Sequence, residues 1–183
     1  MISIERRAQP RSYWSPVIVS GILRGILTCL VFFNLISYFQ YGSVLFGVTA
    51  ISGILGNLLF LGVVGLITSL ITRTGTRAFE AYGRTFIVAL FAYVLLIPVL
   101  IVLMPNLPPN PSFADAQGAR DVVTFVRSSS AMQVFRYGQG SIFLLQMILL
   151  YRNLLPLTQQ GRAAAAATTC FAIYVLLFVT GII

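Results

Sequence analysis

Long apolar stretches separated by short polar segments dominate the pattern of this chain. A bilayer core about 30 Å thick is crossed by about 20 apolar residues in a helix. Five stretches meet or approach that requirement, at residues 17–39, 44–71, 86–104, 131–151 and 163–183. The pattern therefore predicts an all-α fold, a polytopic helical membrane protein with five transmembrane helices.

The polar segments divide the chain into a tail and one transmembrane domain. Residues 1–16 form a basic tail, and residues 17–183 form the five-helix domain, with a long loop at residues 105–130. The third stretch ends and this loop begins within "MPNLPPNP", whose prolines cannot continue a helix. Its second half is polar around "VVTFV", which predicts a short amphipathic helix on the surface within residues 112–130.

Polar residues interrupt the fourth stretch on one side only. At 100° per residue they fall within an arc of about 140° on one helix face. These residues are Gln133, Arg136, Gln139 and Gln146. We expect this face to contact protein and the opposite face to contact lipid.

The second stretch is rich in glycine, which allows close approach of neighbouring helices in a membrane. Its glycines are Gly47, Gly53, Gly56, Gly62 and Gly65. Asn34 in the first stretch and Asn57 in the second are the other polar residues expected at helix contacts. Interhelical hydrogen bonds of this kind contribute about 0.6 kcal/mol on average.

The charge distribution predicts the orientation. The 183 residues are 58% hydrophobic and 9% charged, with twelve arginines, no lysine and a net charge of +8. The arginines lie between apolar stretches rather than on one face, which argues against a nucleic-acid partner. Eight lie in one set of alternate connections and two in the other, so the positive-inside rule predicts a cytoplasmic N-terminus and an external C-terminus. The eight are Arg6, Arg7, Arg11, Arg73, Arg77, Arg84, Arg152 and Arg162.

The residue inventory argues against catalysis. The chain has no histidine, and its four carboxylates lie outside the predicted spans, so no acid or base is available within the membrane. Cys29 and Cys170 are isolated in apolar stretches and do not suggest a metal or haem site. We therefore expect no enzyme activity and no cofactor, although the composition is compatible with a bound lipid.

Two arginines lie at membrane depth, where the cost of central insertion is about 2.5 to 3.5 kcal/mol. We expect Arg24 to snorkel toward the cytoplasmic interface, and it is also a candidate for contact with a lipid or a partner. Arg136 shares its face with three glutamines. Our hypothesis is that this face binds a lipid headgroup, an anionic ligand or a partner helix.

Three segments carry a family resemblance. The basic hairpin "GTRAFEAYGRTF", the following "FAYVLLIPVL" and the entry "QQGRAAAA" into the last span together resemble the Yip family. This family comprises Rab-interacting five-span membrane proteins and their prokaryotic relatives. The resemblance implies a helical membrane scaffold without catalytic residues, which acts through oligomerisation and partner contacts.

Two functions are open at this point. The first is a non-catalytic scaffold or accessory subunit that binds other membrane proteins or further copies of itself, together with anionic lipids. The second is a small transporter or channel component that uses the polar face of the fourth helix. The arginine-only, alanine-rich usage favours a bacterial inner membrane.

Overall fold

The computed structural model describes residues 13–32, 42–103 and 116–180, and every regular element in these ranges is an α-helix. The helices are α1 (Trp14–Val31), α2 (Gly42–Thr72), α3 (Thr76–Gly83), α4 (Phe86–Val102), α5 (Ala116–Ser128), α6 (Ser130–Leu154) and α7 (Gln160–Val179). The all-α prediction is confirmed over the described residues.

Four described stretches are long and apolar enough to cross a membrane. They are Trp14–Val31, Phe46–Thr72, Thr76–Val102 and Gln160–Val179, and they correspond to the first, second, third and fifth predicted spans. The predicted fourth span forms α6, a helix of 25 residues that is not among the four. Its glutamines and arginines lower its mean hydropathy.

The helix ends differ from the predicted ones by a few residues. Helix α1 begins at Trp14 and ends at Val31, whereas the prediction ran from residue 17 to 39. The remainder of that prediction, including Asn34, lies mostly outside the described residues, as do Arg6, Arg7 and Arg11 of the tail. The predicted amphipathic helix is present as α5, with Val126 buried and Arg127 exposed.

Helices α1 and α2 cross at very short range because three glycines meet there. A methyl group on Gly53 would overlap the carbonyl oxygen of Gly21 and the amide nitrogen of Gly25. A methyl group on Gly25 would lie 2.5 Å from the Cα of Ala50. Only residues without a side chain permit this backbone approach, as at other small-residue crossings in membranes.

Most of the basic hairpin between the second and third spans is helical. Arg73 and Gly75 have φ angles of 58° and 59°, and this left-handed pair turns the chain from α2 into α3. Helix α3 is partly inside the bundle, since Tyr82 is only 1% exposed and the ring of Tyr13 lies directly over Gly83. The hairpin therefore contributes to the core as well as to the charged end.

Helix α6 runs the length of the bundle. Its N-cap Ser129 accepts a hydrogen bond from the amide of Met132 at 3.2 Å and separates it from α5. At its other end the amide of Asn153 donates to the carbonyl of Ala81 at 3.0 Å. This bond places the end of α6 beside α3, at the basic end where α4 begins. Twenty-five helical residues span about 37 Å, enough to cross a bilayer core.

We predict that Gly53→Ala destabilises the fold, because the added methyl group meets backbone atoms that cannot move independently. The expected loss in the free energy of unfolding is about 1 to 3 kcal/mol. Gly62→Ala is the matched control on the same helix, since nothing lies within 4 Å of its added methyl group. Thermal unfolding in detergent tests both variants; equal melting temperatures would contradict the glycine crossing.

Candidate functional site

A small polar cavity of about 20 Å³ lies where six of the helices meet. Helices α1, α2, α3, α4, α6 and α7 each contribute at least one lining residue. The polar lining residues are Arg24, Asn57, Tyr82, Tyr93, Gln139, Gln146 and Tyr174. This volume is sufficient for about one water molecule or an ion of similar size.

Arg24 supplies the positive charge of this cavity. Its guanidinium carbon lies 5.6 Å from the centre of the Phe60 ring, within the range of a cation–π interaction. A methyl group on Gly56 would lie 3.3 Å from the Nη1 atom of Arg24, so this glycine leaves the space that the guanidinium occupies. Arg24 is partly exposed and contributes its guanidinium to the cavity, and its expected reach toward the cytoplasmic interface stays a prediction.

The polar face predicted on the fourth span is divided in the structure. Gln139 and Gln146 line the cavity, whereas Gln133 and Arg136 are exposed. Arg136 lies over the ring of Phe178, 4.8 Å from its centre. The four residues do not form one common site, because helix packing turns only two of them toward the interior.

The two inward glutamines carry unused hydrogen-bond donors. Gln146 is 5% exposed, and the Nε2 atoms of Gln146 and Gln139 are both buried without a hydrogen-bond partner among the described residues. A buried donor without an acceptor costs about 1 to 3 kcal/mol. Because both glutamines line the cavity together with Arg24, a group that accepts hydrogen bonds would complement this lining.

Asn57 fixes one wall of the cavity. Its amide donates to the carbonyl of Val17 at 3.2 Å and to the hydroxyl of Ser20 at 2.9 Å, which joins α2 to α1. The cavity wall contains no carboxylate among the described residues. The lining therefore combines one cation, three amides and three phenols. Because the amide of Asn57 already donates to α1, the unpartnered amide donors are those of Gln139 and Gln146.

The glycines of α2 are also divided between inside and outside. A methyl group on Gly65 would overlap the ring of Phe79, so this position contacts α3, while Gly53 contacts α1. Gly47 and Gly62 have open space beside them. Some of the glycines predicted for helix packing therefore contact other helices of the same chain, and the others face outward.

The basic end carries a second polar feature, an open groove of about 320 Å³ between α3 and the end of α6. Arg77, Arg84 and Arg152 line it together with Glu80, which forms an ion pair with Arg84. Arg73 lies in the adjoining connection between α2 and α3, and Arg162 lies in the first turn of α7. Five of the eight arginines that predict the orientation are described, and they lie at one end of the bundle.

Tyr82, Tyr93 and Tyr174 were not identified as site residues from the sequence. Each is a tyrosine within or beside an apolar stretch, and a buried phenol usually needs a hydrogen-bond partner. That requirement is a usable signal for a polar interior. It does not indicate which of the eight tyrosines converge, because convergence depends on how the helices pack.

No family model, curated protein or solved structure matches this chain. The resemblance to the Yip family stays a prediction. The function is therefore inferred from the geometry of the cavity and the chemistry of its lining residues.

We predict that Gln146→Met raises thermal stability in a buffer whose only anion is bulky gluconate. Methionine has a similar length and removes a buried donor that lacks an acceptor, so the expected gain is about 1 to 3 kcal/mol. Gln133→Met on the same helix is the control, because Gln133 is exposed and its replacement should change the melting temperature little. A large loss of stability in Gln146→Met would show that this amide has a partner.

Proposed function

We propose that this chain is a non-catalytic integral membrane protein that binds a small anion inside its helical bundle, as a carrier or channel component. The observation that carries this proposal is the pair of buried, unpartnered amide nitrogens of Gln139 and Gln146 in the cavity that Arg24 lines. An anion accepts hydrogen bonds at every contact, so it complements such a lining.

The cost of a partly buried charge supports the same conclusion, since Arg24 lines the cavity while part of the residue stays exposed. A cation within an apolar bundle is expensive unless an opposite charge or a set of dipoles compensates it. The Phe60 ring supplies part of this compensation, about 0.5 to 2 kcal/mol for a cation–π interaction. Since the described lining holds no carboxylate, the negative charge would come from the ligand.

A water molecule is the competing occupant of the cavity. Water would satisfy the two amides equally well, because it accepts hydrogen bonds and the volume suits it. It would leave the charge of Arg24 unneutralised. An anion therefore predicts a dependence on the type of salt, and this dependence should require Arg24.

We predict that bromide raises the melting temperature of the purified chain relative to gluconate at constant ionic strength. Binding to the folded state stabilises it by about 2.7 kcal/mol when the anion is at 100 times its Kd. Arg24→Met should weaken this response at least about tenfold, equivalent to about 1.4 kcal/mol. Arg162→Met is the matched control, since Arg162 is exposed at the start of α7 and outside the cavity.

An identical response to salt type in the wild-type chain and in Arg24→Met would contradict the proposed site. If the response does require Arg24, flux of bromide from liposomes separates a carrier or channel component from a protein that only binds the anion. A carrier or channel component should release bromide in a manner that requires Arg24, whereas a binding protein should respond to salt without any flux.

We further propose that α6 crosses the membrane as the fourth of five spans, with the N-terminus in the cytoplasm of a bacterial inner membrane. The length of α6 and its antiparallel course beside α4 support this arrangement. Polar residues are tolerated in such a span because two of them, Gln139 and Gln146, face the interior of the bundle. The concentration of arginines at one end supports the orientation.

Fusion of alkaline phosphatase and of green fluorescent protein to the C-terminus tests the number of spans. Five spans place the two termini on opposite sides, so the phosphatase fusion should be active and the fluorescent fusion dark. Four spans place both termini on one side. A fluorescent C-terminal fusion together with a cytoplasmic N-terminus would therefore contradict five crossings.

The accessory-subunit hypothesis stays a prediction. Its contact surface would be the outward residues of α2 and α6, Gly47, Gly62, Gln133 and Arg136. Recovery of a stoichiometric partner from native membranes would support it, and a clean homo-oligomer would count against it.

A further inference from the structure

An aromatic groove of about 250 Å³ lies between α6 and α7. Its wall contains four aromatic side chains, Tyr137, Phe171, Tyr174 and Phe178, together with Leu144 and Gly140. Several large apolar side chains on the same helices are exposed, as expected for surfaces in contact with lipid chains. The groove is therefore an apolar recess on the side of the bundle.

Tyr174 belongs to both the groove and the interior cavity. Its ring stacks on Phe143 of the cavity wall at 4.3 Å and 16°, and its other neighbour is Phe178 of the groove at 6.3 Å. One aromatic ring therefore separates the donor-rich interior from the apolar groove. A passage from one space to the other would require this ring to move.

Gly140 leaves room beside this ring. A methyl group added there would lie 3.8 Å from the Tyr174 hydroxyl oxygen, which is ordinary contact. The groove therefore has space at this position, and a larger side chain would fill it without displacing backbone.

We propose that the natural ligand is a single-chain amphiphile with a carboxylate head, which enters sideways from the bilayer past Tyr174. Its carboxylate occupies the cavity with Arg24, and its apolar chain lies in the groove between α6 and α7. This proposal rests on the proposed function and specifies the class of anion.

Three features support this class of ligand. The cavity is sufficient for about one water-sized group, which suits one oxygen of a carboxylate and is too small for a phosphodiester headgroup. The groove is about ten times larger and mainly apolar, so it suits a hydrocarbon chain. A chain that stays in the groove remains in an apolar medium, and only the charged head needs a new partner, which Arg24 supplies.

Photocrosslinking tests this proposal with a dodecanoate analogue that carries a diazirine at the end of its chain. The full chain is reconstituted in lipid nanodiscs, irradiated and digested, and labelled peptides are identified by mass spectrometry. Label is expected in α6 and α7 around Gly140 and Phe171. The corresponding neutral alcohol should label these peptides no more than background.

Gly140→Leu should reduce this labelling about tenfold, because the side chain fills the groove. Arg24→Met should reduce it to a similar extent, because the head loses its counter-charge. Gly62→Leu is the matched control, since nothing lies near this glycine and it is far from the groove in sequence. Unchanged labelling in Gly140→Leu would overturn the proposal.

The response to bromide separates this inference from the proposed function. In Gly140→Leu the bromide stabilisation should persist, which also shows that the variant is folded. If bromide binds through Arg24 but labelling is unaffected by Gly140→Leu, the amphiphile is wrong and the small-anion site stands. If the wild-type chain shows no bromide response, the anion site fails and this inference fails with it.

If Arg136→Met abolishes labelling and Arg24→Met does not, the head lies at the surface and the interior route is wrong.

Discussion

The guanidinium of Arg24, partly exposed and lining a polar cavity without a carboxylate among the described lining residues, is the constraint on which the rest of this account depends. A charge in this position must be compensated by the protein or by a ligand. The protein provides one aromatic face, and the other polar side chains that line the cavity are uncharged amides and phenols. In our proposal an anion completes the arrangement, since it pairs with the guanidinium and accepts hydrogen bonds from the amides of Gln139 and Gln146.

The position of Arg24 follows from how α1 and α2 meet. The glycine crossing at Gly21, Gly25 and Gly53 brings the two backbones close together, and Gly56 leaves the space for the guanidinium. Asn57 then ties α2 to the carbonyl of Val17 on the opposite helix. The small residues of α2 therefore do more than allow tight packing, since they also direct a charged side chain inward.

Much of the helical architecture could be predicted from the sequence, because apolar stretches of about 20 residues leave few alternatives in a membrane. The grouping of Gln139 with Gln146 follows from helical periodicity alone. The direction of Arg24 and the convergence of Tyr82, Tyr93 and Tyr174 could not be predicted, because they depend on which helix faces pack together. Periodicity also placed Gln133 and Arg136 on the same face as the inward glutamines, yet packing leaves both exposed.

The most direct test of the central claim is to locate bromide by its anomalous scattering in crystals of the wild-type chain. The account predicts a peak within hydrogen-bonding distance of the Arg24 guanidinium and of the Gln139 and Gln146 amides. Bromide should be absent from this position in Arg24→Met. Ordered water at this position in the wild-type chain, with bromide only at the basic end, would contradict an interior anion site.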